Sequence, residues 1–372
     1  MTATRARYCM VGGFLGAGKT TSILRLASWL AGRGLRVGLV TNDQGGGLVD
    51  TALAAAHRMP VQEIVGGCFC CRFNSLVEAA DTLARETAPD VLIAEPVGSC
   101  TDLVATVSLP LARIYGDRFH VAPLSVVVDP LRAERVLGLA ESRLSEHVAY
   151  IYKKQLEEAE IIVVNKSDLV DADRRARIEE ALGRLNPAAE ILACSAREGM
   201  GLEAWFGRLL DDDSRPRAIE HIDYDRYAEG EALLGWLNAE VRIGVPGTDD
   251  EFDGNALLVA ILSAIRAEAE AAGHEIAHLK ATLAVEGDPY ELAGANLVRT
   301  ADGPELSHRL ADPVDVGRLL LNLRAEADPA ALEAAVRRAV GACTSPRPHA
   351  FLHLEQFRPG RPVPTHRLAG AN

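Results

Sequence analysis

The stretch Gly13–Thr20 reads GFLGAGKT and decides the fold, because it matches the pattern G-x-x-x-x-G-K-[ST]. It follows a short apolar run, Ala6–Gly12, and precedes a helical pattern, Thr20–Ala31. Glycines in such a loop let backbone N–H groups turn toward phosphate oxygens, and the start of the following helix adds partial positive charge. The sequence therefore predicts a phosphate-binding loop between a strand and a helix.

The residue types in this loop have separate expected tasks. The Lys19 amine is expected to reach the β- and γ-phosphates of a nucleotide, and the Thr20 hydroxyl to ligate Mg²⁺. The residues expected to contact the nucleotide here are Gly13, Gly16, Ala17, Gly18, Lys19, Thr20 and Thr21.

The N-terminal half alternates almost continuously apolar runs with helical patterns, as expected for strands buried on both faces of a parallel sheet. The predicted strands are Ala6–Gly12, Arg36–Thr41, Asp90–Ala94, Ala122–Val128, Glu160–Val164 and Glu190–Ala193. The predicted helices are Thr20–Ala31, Ser75–Glu86, Leu131–Leu139, Leu144–Glu158, Ala172–Leu185 and Leu202–Leu210. This alternation predicts a doubly wound α/β domain with a mainly parallel sheet over residues 1–212.

A second, smaller α+β domain is predicted over residues 218–372. It follows a linker at Asp211–Arg217, which holds three aspartates and a proline. Two helices among several strands indicate a split βαβ arrangement. The segments behind this prediction are an apolar patch at Glu231–Glu240 around Trp236, the helices Ala256–Ala272 and Pro329–Val340, and the strand Gly317–Arg324.

The amino-acid composition argues against several classes of protein. The 372 residues carry 39 Lys and Arg against 52 Asp and Glu, a net charge of −13, which argues against a nucleic-acid or membrane partner. No apolar run approaches the roughly 20 residues of a membrane helix. Arg5 and Arg7 precede an apolar stretch, as in a signal peptide, but glycines break Tyr8–Leu15 and it leads straight to Lys19. We expect a cytoplasmic protein with its seven cysteines reduced.

A second motif, Asn165-Lys166-Ser167-Asp168, follows the predicted strand Glu160–Val164. The Asp168 carboxylate can accept two N–H groups from guanine, whereas adenine would leave it opposite a lone pair, at a cost of ~1–3 kcal/mol per unsatisfied group. Lys166 would lay its aliphatic stem over the base, and Asn165 would brace neighbouring loops. The motif therefore favours GTP over ATP.

The segment after the next predicted strand offers a further contact to the base. Ser195 and Ala196 stand where GTPases place a backbone-mediated base contact.

Acidic residues follow two of the predicted strands. Glu95 and Asp43 are the candidates for Mg²⁺ ligands and, with Lys19, for catalytic residues, and Gln44 is a further candidate for positioning the hydrolytic water. Gly98 is expected to donate its backbone N–H to a γ-phosphate.

Two acidic residues that follow predicted strands also allow another interpretation. Asp43 opens a glycine-rich loop that is expected to be mobile, as a nucleotide-sensing segment would be. Asp129, after the predicted strand Ala122–Val128, is a weaker candidate for an acid of the metal site and is expected instead to be a helix cap.

Three cysteines, Cys68, Cys70 and Cys71, follow two glycines in a C-x-C-C spacing. Thiolates at this spacing suit Zn²⁺ or Cu⁺, and three protein ligands leave a fourth position open. A redox-active pair at Cys70 and Cys71, or simple packing of buried cysteines, are the alternatives. Further candidate ligands are Cys100, Glu63 and His57.

These motifs, in this order, resemble the CobW-type metallochaperone GTPases, relatives of the nickel-insertion GTPases UreG and HypB. The matching segments are GFLGAGKTT at Gly13–Thr21, CFCC at Cys68–Cys71, EPVG at Glu95–Gly98 and NKSD at Asn165–Asp168. The C-terminal half resembles the family's second domain more loosely, in its strand–helix order and at Ile276–Leu283.

The resemblance implies GTP hydrolysis with Mg²⁺, coupled to binding a transition metal and handing it to an apo-metalloprotein client. In such families the cysteines bind Zn²⁺ and sometimes Co²⁺ or Ni²⁺, and they lie between nucleotide-responsive loops.

The chain also departs from the family pattern. Its ten histidines are scattered rather than gathered in a loop, Asp43 stands where a glutamate is expected, and Pro96 replaces a small polar residue. These departures indicate a divergent branch.

Two rival functions remain at this point. One is a GTP-dependent conformational chaperone of a cofactor enzyme, such as a corrinoid enzyme, with a merely structural metal. The other is a P-loop small-molecule kinase that uses ATP. The oligomeric state is open, a homo-oligomer being one option.

Overall fold

The computed structural model describes residues 5–45, 49–141, 144–211, 221–247 and 250–369. The chain forms two compact units, and neither is continuous in sequence. The first comprises the described residues of Met1–Gln44, Met59–Gly230 and Arg361–Asn372, and the second those of Gly45–Arg58 and Glu231–Gly360. The predicted domain limits at 212 and 218, and all of the predicted linker except Asp211, lie outside the described residues.

The strands are, in chain order, β1 (Ala6–Gly12), β2 (Val37–Asn42), β3 (Val61–Ile64), β4 (Val91–Glu95), β5 (Phe119–Val121), β6 (Ser125–Val128), β7 (Ile161–Val164), β8 (Glu190–Ala193), β9 (Leu234–Ile243), β10 (Glu275–Val285), β11 (Asp288–Leu297), β12 (Glu305–His308), β13 (Gly317–Glu326) and β14 (His349–Phe357). The α-helices are α1 (Lys19–Ala31), α2 (Val49–Ala56), α3 (Phe73–Glu86), α4 (Leu109–Ile114), α5 (Pro130–Val136), α6 (Glu146–Glu158), α7 (Ala172–Leu185), α8 (Leu202–Asp211), α9 (Tyr224–Leu233), α10 (Gly254–Ala271) and α11 (Pro329–Thr344). A π-helical turn at Val104–Ser108 leads into α4, and a short 3₁₀ helix spans Ser167–Leu169.

The first unit is built on a parallel sheet in the order β3-β2-β4-β1-β6-β7-β8, with β5 also paired to β1. Most of its central strands are buried along their whole length, which explains their continuous apolar sequences. In a parallel sheet the carboxyl ends of the strands share one edge, and the candidate site residues follow those ends. The predicted doubly wound fold is confirmed.

The second unit is an antiparallel sheet in the order β12-β11-β10-β13-β9-β14. Strand β13 lies between β9 and β10, so that β9-α10-β10 is a split βαβ unit, as predicted. Leu258 and Ile261 of α10 share a buried core with Leu321 of β13. The neighbouring Asn322 side chain accepts a hydrogen bond from the Val49 N–H, 2.9 Å away, so α2 packs on the opposite sheet face.

Some predicted elements match residue for residue and others are wrong. β1, β8 and α7 match. The strand predicted at Ala122–Val128 is too long: β6 begins at Ser125, and residues 122–124 before it include Pro123, which has no N–H for a strand ladder. The preceding β5 was not predicted. The helix predicted to reach Leu139 ends at Val136. Among the described residues, no helix combines the length and apolar character needed to cross a bilayer.

Candidate functional site

The phosphate loop leaves the carboxyl end of β1 in a conformation that requires glycine. Gly13 has a φ of +129°, and a Cβ there would lie 2.2 Å from the Val127 carbonyl oxygen. Gly18, with a φ of +94°, leads directly into α1. The Lys19 side chain is buried and its amine donates to the Gly13 carbonyl oxygen at 2.9 Å, so the loop is curled around the lysine.

Thr20 and Glu95 meet beside this loop. The Thr20 hydroxyl donates to Glu95 Oε1 at 3.1 Å, and Glu95, the last residue of β4, is buried. Hydroxyl and carboxylate oxygens are hard ligands that suit Mg²⁺. The donor set therefore fits the ion that the sequence predicts here.

Asp43 and Gly98 reach the same edge of the sheet. Thr41 of β2 is paired with Glu95 of β4, which places Asp43 two residues beyond that pair. A Cβ at Gly98 would lie 3.1 Å from the Leu15 backbone nitrogen, so the Gly98 backbone packs directly against the phosphate loop. Gly46 and Gly47 of the loop predicted to be mobile lie outside the described residues.

The N-K-x-D motif contacts the phosphate loop from the other side. The Asn165 amide donates to the Ala17 carbonyl oxygen at 3.0 Å and accepts from the Ala196 N–H at 2.9 Å. The Lys166 amine donates to the Gly16 carbonyl oxygen at 2.8 Å and to Asp129, also at 2.8 Å. Three other residues predicted to bind the nucleotide, Gly16, Ala17 and Ala196, are thereby connected through Asn165 and Lys166.

The remaining base-side residues take different positions. The Asp168 side chain is exposed in the 3₁₀ helix, whereas Ser195 is buried and its hydroxyl accepts the Glu198 N–H at 3.2 Å. Asp129 accepts the Arg132 N–H at the start of α5, which confirms the predicted helix cap.

The cysteine loop follows β3 and gathers three sulfur atoms at one point. Gly66 and Gly67 both have positive φ angles, +77° and +146°, which turn the chain into the C-x-C-C segment. The Cys68 sulfur lies 2.7 Å from that of Cys70 and 3.2 Å from that of Cys71. The three sulfur atoms all lie within 4.8 Å of one another, a spacing that can hold a metal ion.

The thiols of this cluster do not ionise alike. Hydrogen bonds lower the pKa of Cys68 well below its usual range. The bond with Cys100 contributes most, followed by those with Cys70 and Cys71. Hydrogen bonding to Cys68 is the first cause that raises the pKa of Cys70, and it raises that of Cys71 to about 11. Cys68 is therefore the first of the three thiols to ionise, and metal binding must release protons from the cluster.

Two side chains tie the cysteine loop to the phosphate-facing segments. The buried Asn42 amide, at the end of β2, donates to the Ile64 and Gly67 carbonyl oxygens at 3.0 and 2.8 Å. Cys100 lies two residues beyond Gly98 and forms a hydrogen bond with Cys68. The segments that follow β2 and β4 thus connect the cysteine loop to the predicted nucleotide site.

The C-terminal segment, residues 361–369, also contacts the cysteine loop. The Val363 N–H donates to the Cys71 sulfur at 3.3 Å, and the Thr365 N–H to the Cys70 carbonyl oxygen at 2.8 Å. This segment was not predicted from the sequence, because nothing local to it signals a contact with a loop almost 300 positions earlier.

An ion pair anchors the same segment. The Arg367 guanidinium lies 2.8 Å from the Asp102 carboxylate, which is buried and also accepts the Tyr224 hydroxyl at 2.6 Å. Burial raises the pKa of Asp102, while the bonds from Tyr224 and Arg367 lower it. These three residues were also missed, for the same reason.

Known proteins were compared with the chain. The model of the family "CobW/HypB/UreG, nucleotide-binding domain" matches residues 7–193, half of the chain. The zinc chaperone YeiR of Escherichia coli is 33% identical over 163 residues, which cover 44% of this chain and 47% of YeiR. The zinc chaperone CobW of Pseudomonas aeruginosa is 25% identical over 377 residues, 91% of this chain and 92% of that protein.

The chain thus spans about half the length of YeiR. Among solved structures, the Zn(II)-bound YjiA GTPase from E. coli aligns over 91% of this chain and 99% of its own, with a TM-score of 0.40 and 14% identity. The match over residues 7–193, which include the phosphate loop and the cysteine cluster, shows that the chain belongs to the CobW/HypB/UreG family of metallochaperone GTPases.

Proposed function

We propose that this protein hydrolyses GTP, binds Zn²⁺ through Cys68, Cys70 and Cys71, and delivers the ion to an apo-metalloprotein client. One observation carries the proposal: three clustered sulfur atoms sit on a loop that Asn42 ties to the end of β2, next to Asp43. The names of the relatives YeiR and CobW, both zinc chaperones, support zinc as the cargo, with Co²⁺ and Ni²⁺ as alternatives.

Phosphoryl transfer from GTP to water requires charge stabilisation rather than covalent chemistry. Lys19 would bind the β- and γ-phosphate oxygens, and the backbone of Gly13, Gly16, Ala17, Gly18, Thr20 and Thr21 would surround the phosphates. Thr20, Glu95 and Asp43 would hold Mg²⁺, which neutralises the negative charge that develops between the β- and γ-phosphates.

Guanine selection would rest on the exposed Asp168 carboxylate. Asn165 and Lys166 hold the base-side loop against the phosphate loop, so the base and the phosphates would be bound by connected segments. Gly98 would donate its N–H to the γ-phosphate, and Ser195 and Ala196 would offer the backbone contact to the base.

The cysteine cluster suits a cargo ion because its ligands are soft and its fourth position is open. Thiols must lose protons to bind and regain them on release, so small movements of the loop change the affinity. We propose that GTP tightens the site through the Asn42 and Gly98 segments and that hydrolysis loosens it. The need for reduced thiols fits a cytoplasmic site of action.

The test is a titration of the purified protein with Zn²⁺, Co²⁺ and Ni²⁺, each in the presence of GTP or GDP. Zn²⁺ should bind more tightly with GTP, and Cys70→Ser should weaken binding, while Cys343→Ser, in the second unit, should not. Release of Zn²⁺ to a chromogenic chelator should accelerate during GTP turnover. Equal affinities with both nucleotides, together with an ion that stays bound during turnover, would favour a structural metal and contradict delivery.

A further inference from the structure

Cys100 is the cysteine outside the C-x-C-C motif that contacts the cluster: it forms a hydrogen bond with Cys68. We propose that Cys100 is a fourth metal ligand, brought into the site by the segment that faces the γ-phosphate. Since the metal site itself is the starting point, the inference rests on the proposed function.

Backbone hydrogen bonds shape the turn that carries Cys100. The Cys100 N–H donates to the Val97 carbonyl oxygen at 2.9 Å, which closes a tight turn. The buried Gln155 amide donates to the carbonyl oxygens of both Gly98 and Cys100, at 3.0 and 2.8 Å. Cys100 is only 1% exposed, so its thiol lies inside the protein.

Three ligands of a four-ligand site are already gathered at one point. A tetrahedral Zn²⁺ with ligands at about 2.3 Å has sulfur atoms about 3.8 Å apart. Cys68, Cys70 and Cys71 form the compact group, and Cys100 adjoins it through Cys68. A small shift of the turn at Val97–Cys100 toward the group would complete a tetrahedron of sulfur.

The same turn also contacts the phosphate loop. A Cβ at Gly98 would lie 2.7 Å from the Leu15 side chain, so the two segments are packed without spare room. Gln155 binds Gly98 and Cys100 together, and a displacement of Gly98 is therefore passed on to Cys100. Engagement of the fourth sulfur would then depend on whether a third phosphate is bound.

The chemistry is a ligand exchange with no change of oxidation state. As the Cys100 sulfur binds the metal, its thiol proton passes to solvent. When the turn withdraws after hydrolysis, the metal–sulfur bond breaks and the thiol regains a proton. The three remaining thiolates leave one position free, where a ligand from the client can bind before the ion departs.

The experiment uses Co²⁺ as the probe, since its sulfur-to-metal charge-transfer absorption grows with the number of bound thiolates. Wild-type protein and Cys100→Ser are titrated with a non-hydrolysable GTP analogue or with GDP. With the analogue, Cys100→Ser should lose about a quarter of the absorption and bind Co²⁺ at least about tenfold more weakly. Tenfold is a lower limit, because residues that only contact a metal ligand already contribute about tenfold to metal affinity. With GDP the two proteins should behave alike.

Two control variants separate this result from a general loss of a thiol. Cys9→Ser removes an equally buried cysteine of β1, and Cys343→Ser one in the second unit; both should match wild type. Unchanged absorption and affinity in Cys100→Ser would overturn the inference alone. If Cys70→Ser were also unchanged, the proposed function would fail with it.

A second measurement covers the case in which Cys100→Ser does not fold. X-ray absorption of the Zn²⁺-loaded wild-type protein with the GTP analogue counts the sulfur ligands directly. Four sulfur neighbours support the inference. Three sulfur neighbours with one nitrogen or oxygen overturn it.

Discussion

The phosphate loop and the cysteine loop both leave the carboxyl edge of the same parallel sheet, yet they are held in different ways. The phosphate loop is held through its backbone carbonyl oxygens, which accept hydrogen bonds from its own lysine, from Asn165 and Lys166, and from Arg132 of α5. The cysteine loop is held by three separate stretches of chain, through Asn42, Cys100 and the C-terminal segment 361–369.

This difference has a chemical reason. A phosphate site needs fixed backbone donors, which a short glycine-rich loop supplies by itself. A site that takes up and releases a metal must change its affinity, and contacts from several segments give it several points at which the affinity can be changed. We infer that the first loop is a rigid recognition element and the second a responsive one.

Lys19→Ala gives the largest expected effect and tests whether the two loops can be separated. Removing a cation that stabilises the transferring phosphoryl group should lower kcat/KM for GTP by about 10²–10³. Because the Lys19 amine donates to the Gly13 and Phe14 carbonyl oxygens within the phosphate loop, the nucleotide-free protein should still bind Zn²⁺ with wild-type stoichiometry. Steady-state hydrolysis and a Zn²⁺ titration measure the two quantities.

The exposed Lys153→Ala, on α6, is the control and should retain both properties. Loss of Zn²⁺ binding in a folded Lys19→Ala protein would show that the loops are not separable.

Asp168→Asn tests recognition of the guanine base by the Asn165–Asp168 motif, which contacts the phosphate loop. Exchanging the carboxylate for an amide sets a donor against the guanine N1–H, at a cost of about 1–3 kcal/mol, or roughly ten- to a hundredfold in affinity. Xanthine, which carries an oxygen in place of the exocyclic amine, should be preferred instead. Competition binding with GTP, XTP and ATP measures the change.

Asp173→Asn, an exposed acid in the first turn of α7, is the matched control. An unaltered preference for GTP in Asp168→Asn would contradict base recognition by this motif.

The two loops also differ in how far the sequence predicts them. The phosphate loop and Asn165–Asp168 are local patterns between buried strands, and the structure connects them as their spacing suggests. The strand Val61–Ile64 was missed because its four residues, VQEI, show no apolar run. Helix α2 was not predicted; it belongs to the second unit, although the strands that flank it in sequence belong to the first.

The surroundings of the cysteines are also only partly predictable from the sequence. Their clustering is predictable from the C-x-C-C spacing. The contacts of Val363 and Arg367 are not, because they depend on the chain returning to the first unit after the whole of the second has been built.

Arg367→Ala tests the C-terminal attachment of the responsive loop. The variant leaves the buried Asp102 with only Tyr224 as a partner, which should lower the free energy of unfolding by about 1–3 kcal/mol. The lower end is expected, because the Arg367 side chain is 36% exposed and water screens the pair. Alkylation of Cys71 should also become faster as the segment loosens.

Arg361→Ala is the control on the same segment. It removes an ion pair with Asp225 in which both side chains are exposed, and it should change the unfolding free energy by less than about 1 kcal/mol. Equal alkylation rates in wild type and Arg367→Ala would show that the segment does not shield Cys71.

Glu158→Gln tests, through the pH dependence of stability, the support beneath the turn that carries Cys100. The Glu158 carboxyl accepts the Val104 N–H at 3.0 Å and the Thr101 hydroxyl at 3.1 Å, and burial raises its pKa to about 8 from the usual 4.5. The folded state therefore keeps a proton that the unfolded state loses between these values, so the free energy of unfolding should fall as pH rises from about 4.5 to 8. Glutamine imitates the protonated acid and should remove this decline.

Urea denaturation of both proteins between pH 5 and about 9 measures the slope. Glu157→Gln, the adjacent and partly exposed acid, is the control and should retain the wild-type slope. Parallel curves for wild type and Glu158→Gln would mean that the support of the turn carries its charge at neutral pH. The backbone N–H of Val104 and the hydroxyl of Thr101 would then be holding a buried anion directly behind Cys100, and a negative charge there would oppose ionisation of that thiol.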